Sequence, residues 1–139
     1  MDERQTLISL ENVSVAFGKE RSVAVTDKVS FDIKKGEFFA LVGESGCGKS
    51  VTAMSILKLL PEPGAKISSG KVFFEGKNLL ELSSKELKLI RGKKIACIFQ
   101  EAMAALNPVL SIRKQLEEAK LKEDSSERIL ELMRFAGFS

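Results

Sequence analysis

Residues 38–60 read as a strand, a glycine-rich loop and a helix in direct succession, and few folds can accommodate that unit. The five apolar residues Phe38-Phe39-Ala40-Leu41-Val42 predict a buried strand. Gly43-Glu44-Ser45-Gly46-Cys47-Gly48-Lys49-Ser50 follows as a complete G-x-x-x-x-G-K-S phosphate-binding loop. Glycines at 43, 46 and 48 allow positive φ and close approach of the backbone to a ligand. Successive N–H groups then converge on an anion, and a helix opening near Lys49 adds unpaired donors and the positive end of its dipole. Lys49 is expected to reach the β- and γ-phosphates of a nucleotide as a point charge, and the Ser50 hydroxyl to coordinate Mg²⁺. A turn that merely capped a helix would explain the glycines but not Lys-Ser at that offset. Ala53, Ile56, Leu57 and Leu60 share one helical face, predicted to pack on the sheet, and Pro61 is the expected stop.

Cys47 lies inside the loop and Cys97 in a distant apolar run, without metal-ligand spacing; two such cysteines suit a reducing compartment. A thiol beside a helix N-terminus can be redox-sensitive, but the motif leaves position 47 free, and a small tolerated side chain is the preferred reading. At 139 residues with 44% hydrophobic content, the chain can fill the core of about one domain. Twenty-two basic against 19 acidic residues give no reason to expect nucleic-acid affinity. Met1-Asp2-Glu3-Arg4-Gln5 is too polar for a signal peptide, and the longest late charge-free stretch, 102–112, is too short to span a bilayer. A soluble intracellular protein is expected.

Residues 8–17 show period-two alternation. Ile8 and Leu10 are out of phase with Val13, Val15 and Phe17 by one residue around Glu11-Asn12, which predicts a bulge or bend. A second extended segment carries Val23, Val25, Val29, Phe31 and Ile33, and Lys35-Gly36 turns into the loop-bearing strand. After Pro61-Glu62-Pro63-Gly64 a short strand is expected at 72–74, turned at Glu75-Gly76. Ser83-x-x-Glu86 is a capping box for a short helix ending near Gly92. The apolar run 95–99 predicts a second buried strand, with Gln100-Glu101 at its C-terminal end, where ligands bind in open α/β sheets. From Asn107 the pattern turns helical, with Pro108 at a first helical position and Val109, Ile112, Leu116 and Ala119 on one face. A last helix is predicted from near Asp124, with Ile129, Leu132, Met133 and Ala136 on one face and Gly137 as its stop.

Together these segments resemble the ATP-binding subunit of an ABC transporter, most closely the oligopeptide/dipeptide importer group, over essentially the whole chain. The carriers are Leu10-Glu11-Asn12-Val13-Ser14-Val15, Gly36-Glu37, the loop itself, and Ile98-Phe99-Gln100-Glu101-Ala102-Met103 continuing to Ala105-Leu106-Asn107-Pro108-Val109-Leu110. The last is similar to a peptide-importer Q-loop, from which Ala102 departs where Pro is usual. The resemblance implies an α/β P-loop NTPase of the ABC ATPase type. Residues 1–106 would hold the nucleotide-binding core with an antiparallel β-subdomain, and 107–139 would begin a helical subdomain. It implies Mg-ATP as ligand, held by Gly43, Glu44, Ser45, Gly46, Cys47, Gly48, Lys49, Ser50 and Val51. Phe17 would stack on adenine, although a strand-end hydrophobe is an equal alternative. Gln100 would contact Mg²⁺ and the attacking water. Implied partners are transmembrane permease subunits, docked on residues 100–110, and a second ATP-binding subunit, with no nucleic acid, at the cytoplasmic face of the membrane.

By the same resemblance, a working ATPase needs a Leu-Ser-Gly-Gly signature, an apolar strand ending in Asp-Glu, and a switch His. The chain has no His, its Ser45-Gly46 and Ser69-Gly70 pairs are not signatures, and no four-residue apolar run ends in Asp-Glu. The expectation is therefore a truncated, N-terminal fragment that binds Mg-nucleotide with negligible hydrolysis. A nickel or other small-solute importer shares these motifs. A non-catalytic nucleotide-binding module stays open, and a DNA-repair ABC ATPase is disfavoured for want of a basic stripe.

Overall fold

The alternating residues Ile8, Leu10, Val13, Val15 and Phe17 fold into one twelve-residue strand, β1 (Thr6–Phe17), at the centre of a sheet. The phase slip in the sequence is a real bulge. Asn12 sits at φ 49°, and the register breaks between Leu10 and Val13 against one neighbour and between Glu11 and Ser14 against the other. That extra residue returns Leu10, Val13 and Val15 to burial, each at most 1% exposed. The computed structural model describes residues 5–18, 23–61, 64–99, 106–119, 126–135 and 137. The chain divides into two compact units, Met1–Ala96 and Cys97–Ser139.

In the first unit, the described residues form one four-stranded sheet. β2 (Val23–Lys34) and β3 (Ala65–Phe74) flank β1 on either side, and the two-residue β4 (Lys77–Asn78) lies beyond β3. All three pairings are antiparallel. β3 begins seven residues earlier than the apolar triplet 72–74 predicts, because its polar first half pairs with β1 from Phe17 to Glu11 and is held by the ladder rather than by burial. The core joins Leu10, Val13 and Val15 to Val72, Phe74, Leu79 and Leu87.

Leu87 arrives on α2 (Ser84–Ile90), which starts with the predicted capping box. The Ser83 N–H and hydroxyl both donate to Glu86 Oε2, at 2.8 and 2.6 Å, and Glu86 N–H donates to Ser83 Oγ at 3.4 Å. These bonds hold the Glu86 carboxyl below its ordinary value, the side-chain bond from Ser83 contributing most. With the folded value depressed, the capping contribution is present above the ordinary carboxylate range and lost as pH falls through the depressed one. Ser83→Ala is expected to lower the thermal midpoint by several degrees at neutral pH, with the gap to the parent closing in acid. Melting curves at two pH values check this; a gap independent of pH would refute it.

Two predicted buried strands do not form. Residues 37–44 join no ladder, and Phe38 and Val42 are 105% and 88% exposed. In the run 95–99, Ile95 makes one isolated parallel bridge to Arg91, while Ile98 is 96% exposed. A strand buried on both faces draws its order from parallel neighbours and from layers above and below it. Every strand described in the first unit is committed to the antiparallel sheet, so these runs keep their apolar composition without the partners that would bury it.

In the second unit, α3 (Ile112–Ala119) starts four residues later than a Pro108 start predicts. Asn107 is the reason. Its Oδ1 accepts the Val109 N–H at 3.0 Å, and the Gln115 side chain bonds both Asn107 N–H (2.8 Å) and Asn107 C=O (3.0 Å), so residues 107–110 form a turn. Ser111 then caps the helix through the Lys114 N–H. α4 (Ser126–Phe135) ends as predicted, Gly137 standing at φ 89° and donating its N–H to Arg134 C=O. Ile112, Leu116, Ile129 and Met133 line a shared apolar groove. The expected cap at Asp124, the side chain of Leu132, and Ala136 lie outside what is described.

Candidate functional site

Loop 43–48 follows the unpaired stretch 37–42 and opens α1 (Lys49–Ile56). A turn at Lys35-Gly36 leads into it, fixed by Lys34 N–H donating to Glu37 Oε2 at 2.6 Å. Gly48 is the N-cap of α1 at φ 90°, and Gly46 has φ 82°. Gly48 has a second reason to lack a side chain. A Cβ there would lie 2.8 Å from Thr26 Cγ2 and 3.0 Å from the Val25 carbonyl oxygen, so the loop closes directly onto β2. Thr26 is itself fixed, its hydroxyl accepting Val15 N–H at 2.9 Å. At the other end of the loop, a Cβ on Gly43 would meet Cys47 Sγ at 2.8 Å.

No side chain caps the N-terminus of α1, and its first turn holds no acidic residue. Thr52 N–H reaches Gly48 C=O at 2.8 Å, so the amides of Lys49, Ser50 and Val51 are the uncapped first-turn donors. Lys49 folds back over the loop: its Nζ donates to Gly43 C=O at 2.8 Å and Glu44 C=O at 2.5 Å, and lies 3.5 Å from Cys47 Sγ. Glu44, Ser45, Gly46 and Cys47 are exposed, as is Ser50 at the loop–helix junction. Val51 turns its side chain to the core, which leaves its N–H as the group able to meet a phosphate. A 260 Å³ recess between β2 and the loop is lined by Thr26, Asp27, Val42, Cys47 and Lys49. It is smaller than the roughly 300 Å³ at which pockets begin to enclose a ligand, so the loop is an open cradle.

The buried face of α1 is the predicted one at Leu57, Ile56 and Leu60 but not at Ala53. Ala53 is exposed, and Thr52 and Ser55 are buried with Leu57, while Ile56 and Leu60 reach the core only in part. Both hydroxyls are satisfied within the helix, Thr52 by Gly48 C=O at 2.9 Å and Ser55 by Thr52 C=O at 2.7 Å. The helix also ends at Ile56 rather than near Pro61.

Phe17 ends β1 half-buried against the core. It pairs with Val23, while Val15, two positions earlier, pairs with the Thr26 that abuts Gly48. Phe17 is thus about 7 Å along the strand from the register position that meets the loop. Gln100 and residues 101–105 lie outside the described residues, so the predicted metal-contacting Gln and most of the predicted docking segment are not placed. Among the described residues no group of three or more His, Cys, Asp or Glu could hold a metal ion alone. A bound Mg²⁺ would therefore take Ser50 and its remaining ligands from phosphate and water, as this small, hydrated ion commonly does. The positive-φ glycines, the uncapped first turn and Lys49 with Ser50 together fit a Mg-nucleotide phosphate chain.

A family model for ABC transporters matches residues 26–139. The chain belongs to the ABC transporter family. It has the fold of an ABC ATPase cassette: the dimeric post-hydrolysis cassette MJ0796, bound to ADP and Pi, superposes with a TM-score of 0.74 at 28% identity over 96% of this chain and 58% of that one. Among curated relatives, the peptidoglycan transport ATP-binding protein YejF of Agrobacterium fabrum is 50% identical over 96% of this chain and 26% of its own length. The dipeptide transport ATP-binding protein DppD of Bacillus subtilis is 49% identical over 85% of this chain and 36% of its own. The chain thus spans about a quarter to a third of these relatives. No helix among its described residues is long and apolar enough to cross a membrane.

Proposed function

We propose that this chain is the N-terminal, nucleotide-binding part of a peptide-importer ATPase and that residues 43–51 hold Mg-ATP. The observation that carries this is the uncapped N-terminus of α1 with Lys49 and Ser50 at its first two positions and two positive-φ glycines before it. Bound Mg²⁺ would neutralise and orient the phosphates. Lys49 Nζ would exchange the loop carbonyls for phosphate oxygens, and the N–H groups of 46–51 would complete the cradle. Phe17 stacks on adenine, Gln100 approaches the metal and the water, residues 100–110 meet permease subunits at the cytoplasmic membrane face, and a second ATP-binding subunit completes the assembly. The names of the relatives support a peptide-bearing solute, since both cargoes they print contain peptide.

The 139-residue chain holds nucleotide without turning it over, because phosphoryl transfer depends on charge and positioning groups absent from its sequence. Calorimetric titration with Mg-ATP, run beside a phosphate-release assay, tests both halves. Saturable binding with no steady phosphate release is expected. Absence of binding overturns the site, and steady release lost on Lys49→Ala overturns the claim of no turnover.

A further inference from the structure

We infer that Arg91 is a positioning residue for the phosphate loop, acting from the far end of α1. This rests on the reading of residues 43–51 as the phosphate site. The end of α1 has a Schellman geometry built on an unusual residue. Leu59 N–H donates to Met54 C=O at 2.9 Å and Lys58 N–H to Ser55 C=O at 3.1 Å, with Lys58 itself at φ 51°. A left-handed lysine is uncommon, and such a residue persists only where its surroundings over-determine it. Arg91 supplies that constraint. Its Nε and Nη2 both donate to Leu57 C=O, at 2.9 and 2.5 Å, and Nη2 also donates to Lys58 C=O at 2.9 Å. Two carbonyls that the Schellman bonds leave over are thereby taken by one planar fork. The Lys58 ammonium ties the same turn to Leu80 C=O at 3.2 Å.

This helix needs an anchor more than most. It has eight residues; the buried ones within it are Thr52 and Ser55, Val51 and Ile56 reach the core only in part, and the buried apolar residue is Leu57 at its C-cap, the one whose carbonyl Arg91 holds. Its length is about 12 Å, and a shift at its C-terminus carries through to the N–H groups at its N-terminus. The guanidinium also sets positive charge against the negative end of the helix dipole, opposite the end where phosphate binds. Arg91 is itself fixed, since its N–H donates to Leu87 C=O at the end of α2 and it bridges Ile95. The loop, α1, α2 and the start of the run toward Gln100 are thus one mechanical chain.

The test compares the parent with Arg91→Ala and Arg91→Lys by amide NMR without ligand, by Mg-ADP titration, and by titration again with millimolar guanidinium, well below denaturing concentrations. In Arg91→Ala the Gly46 and Gly48 amide signals should move and Mg-ADP affinity should fall about tenfold, as expected for losing charge-assisted bonds. Guanidinium should recover most of that affinity while leaving the parent unchanged. Arg91→Lys keeps the charge without the fork and should fall between the two; it decides the matter if Arg91→Ala does not fold. Unmoved loop amides, or a loss that guanidinium does not recover, would overturn the inference. If the parent itself binds no Mg-ADP, the nucleotide reading fails, and the ligand-free amide signals alone decide the role of Arg91.

Discussion

Lys49→Ala is expected to weaken Mg-ATP binding by about 10- to 100-fold, the loss of a charge-assisted contact to phosphate worth roughly 1.5–3 kcal/mol. The same change should leave the thermal midpoint almost unmoved. In the ligand-free fold the ammonium bonds Gly43 C=O and Glu44 C=O at exposed positions, so water replaces it there at little cost. Binding and folding therefore separate cleanly at this residue, unlike at Gly48, where any side chain would collide with β2. Lys49→Arg should be intermediate, since a planar fork does not reproduce a compact point charge inside so tight a loop. Calorimetry and a melting curve on the same samples check the pair of effects. Unchanged affinity would remove Lys49 from the site, and a large fall in the midpoint would show that its loop contacts hold the fold.

What the sequence makes legible here is local. The slip in alternation around Asn12 marks a bulge because one residue too many on a half-buried strand must go somewhere. The Ser83–Glu86 box and the Gly137 stop are likewise settled within four residues of themselves. The run 38–42 shows the limit. Five apolar residues express a demand for burial, but whether it is met depends on strands elsewhere, and among the described residues none pairs with them. On α1 the predicted face holds at Ile56, Leu57 and Leu60 and departs at Ala53: hydroxyls that bond their own helix backbone can be buried cheaply, so Thr52 and Ser55 face inward where hydrophobic periodicity selects Ala53. Arg91 left no local trace at all. Its acceptors lie 34 and 33 residues away, and no spacing rule connects a forked donor to a helix end at that distance.

Gly70→Ala is expected to be the most damaging single-methyl change for folding. Gly70 lies at φ 96°, and an added Cβ would stand 2.5 Å from the Asn12 carbonyl oxygen and 2.6 Å from that of Glu11. Both are backbone atoms of the β1 bulge, so no side chain can swing away to relieve the overlap. The bulge cannot move either without disturbing Leu10 and Val13 on each side of it, both at 1% exposure. Left-handed strain of about 1–2 kcal/mol therefore adds to a backbone collision of at least similar size. Against a stability of roughly 5–15 kcal/mol for an ordinary domain, that is a large share for one methyl group. The neighbouring Ser69 offers a control: its Oγ is 3.4 Å from Asn12 C=O in an exposed contact, and Ser69→Ala should be nearly silent. Urea unfolding of the two variants should show a midpoint lowered by a molar amount for Gly70→Ala and unchanged for Ser69→Ala. A Gly70→Ala midpoint equal to the parent's would mean that β3 can shift away from the bulge, and that the close approach of β1 and β3 is not what holds this sheet in register.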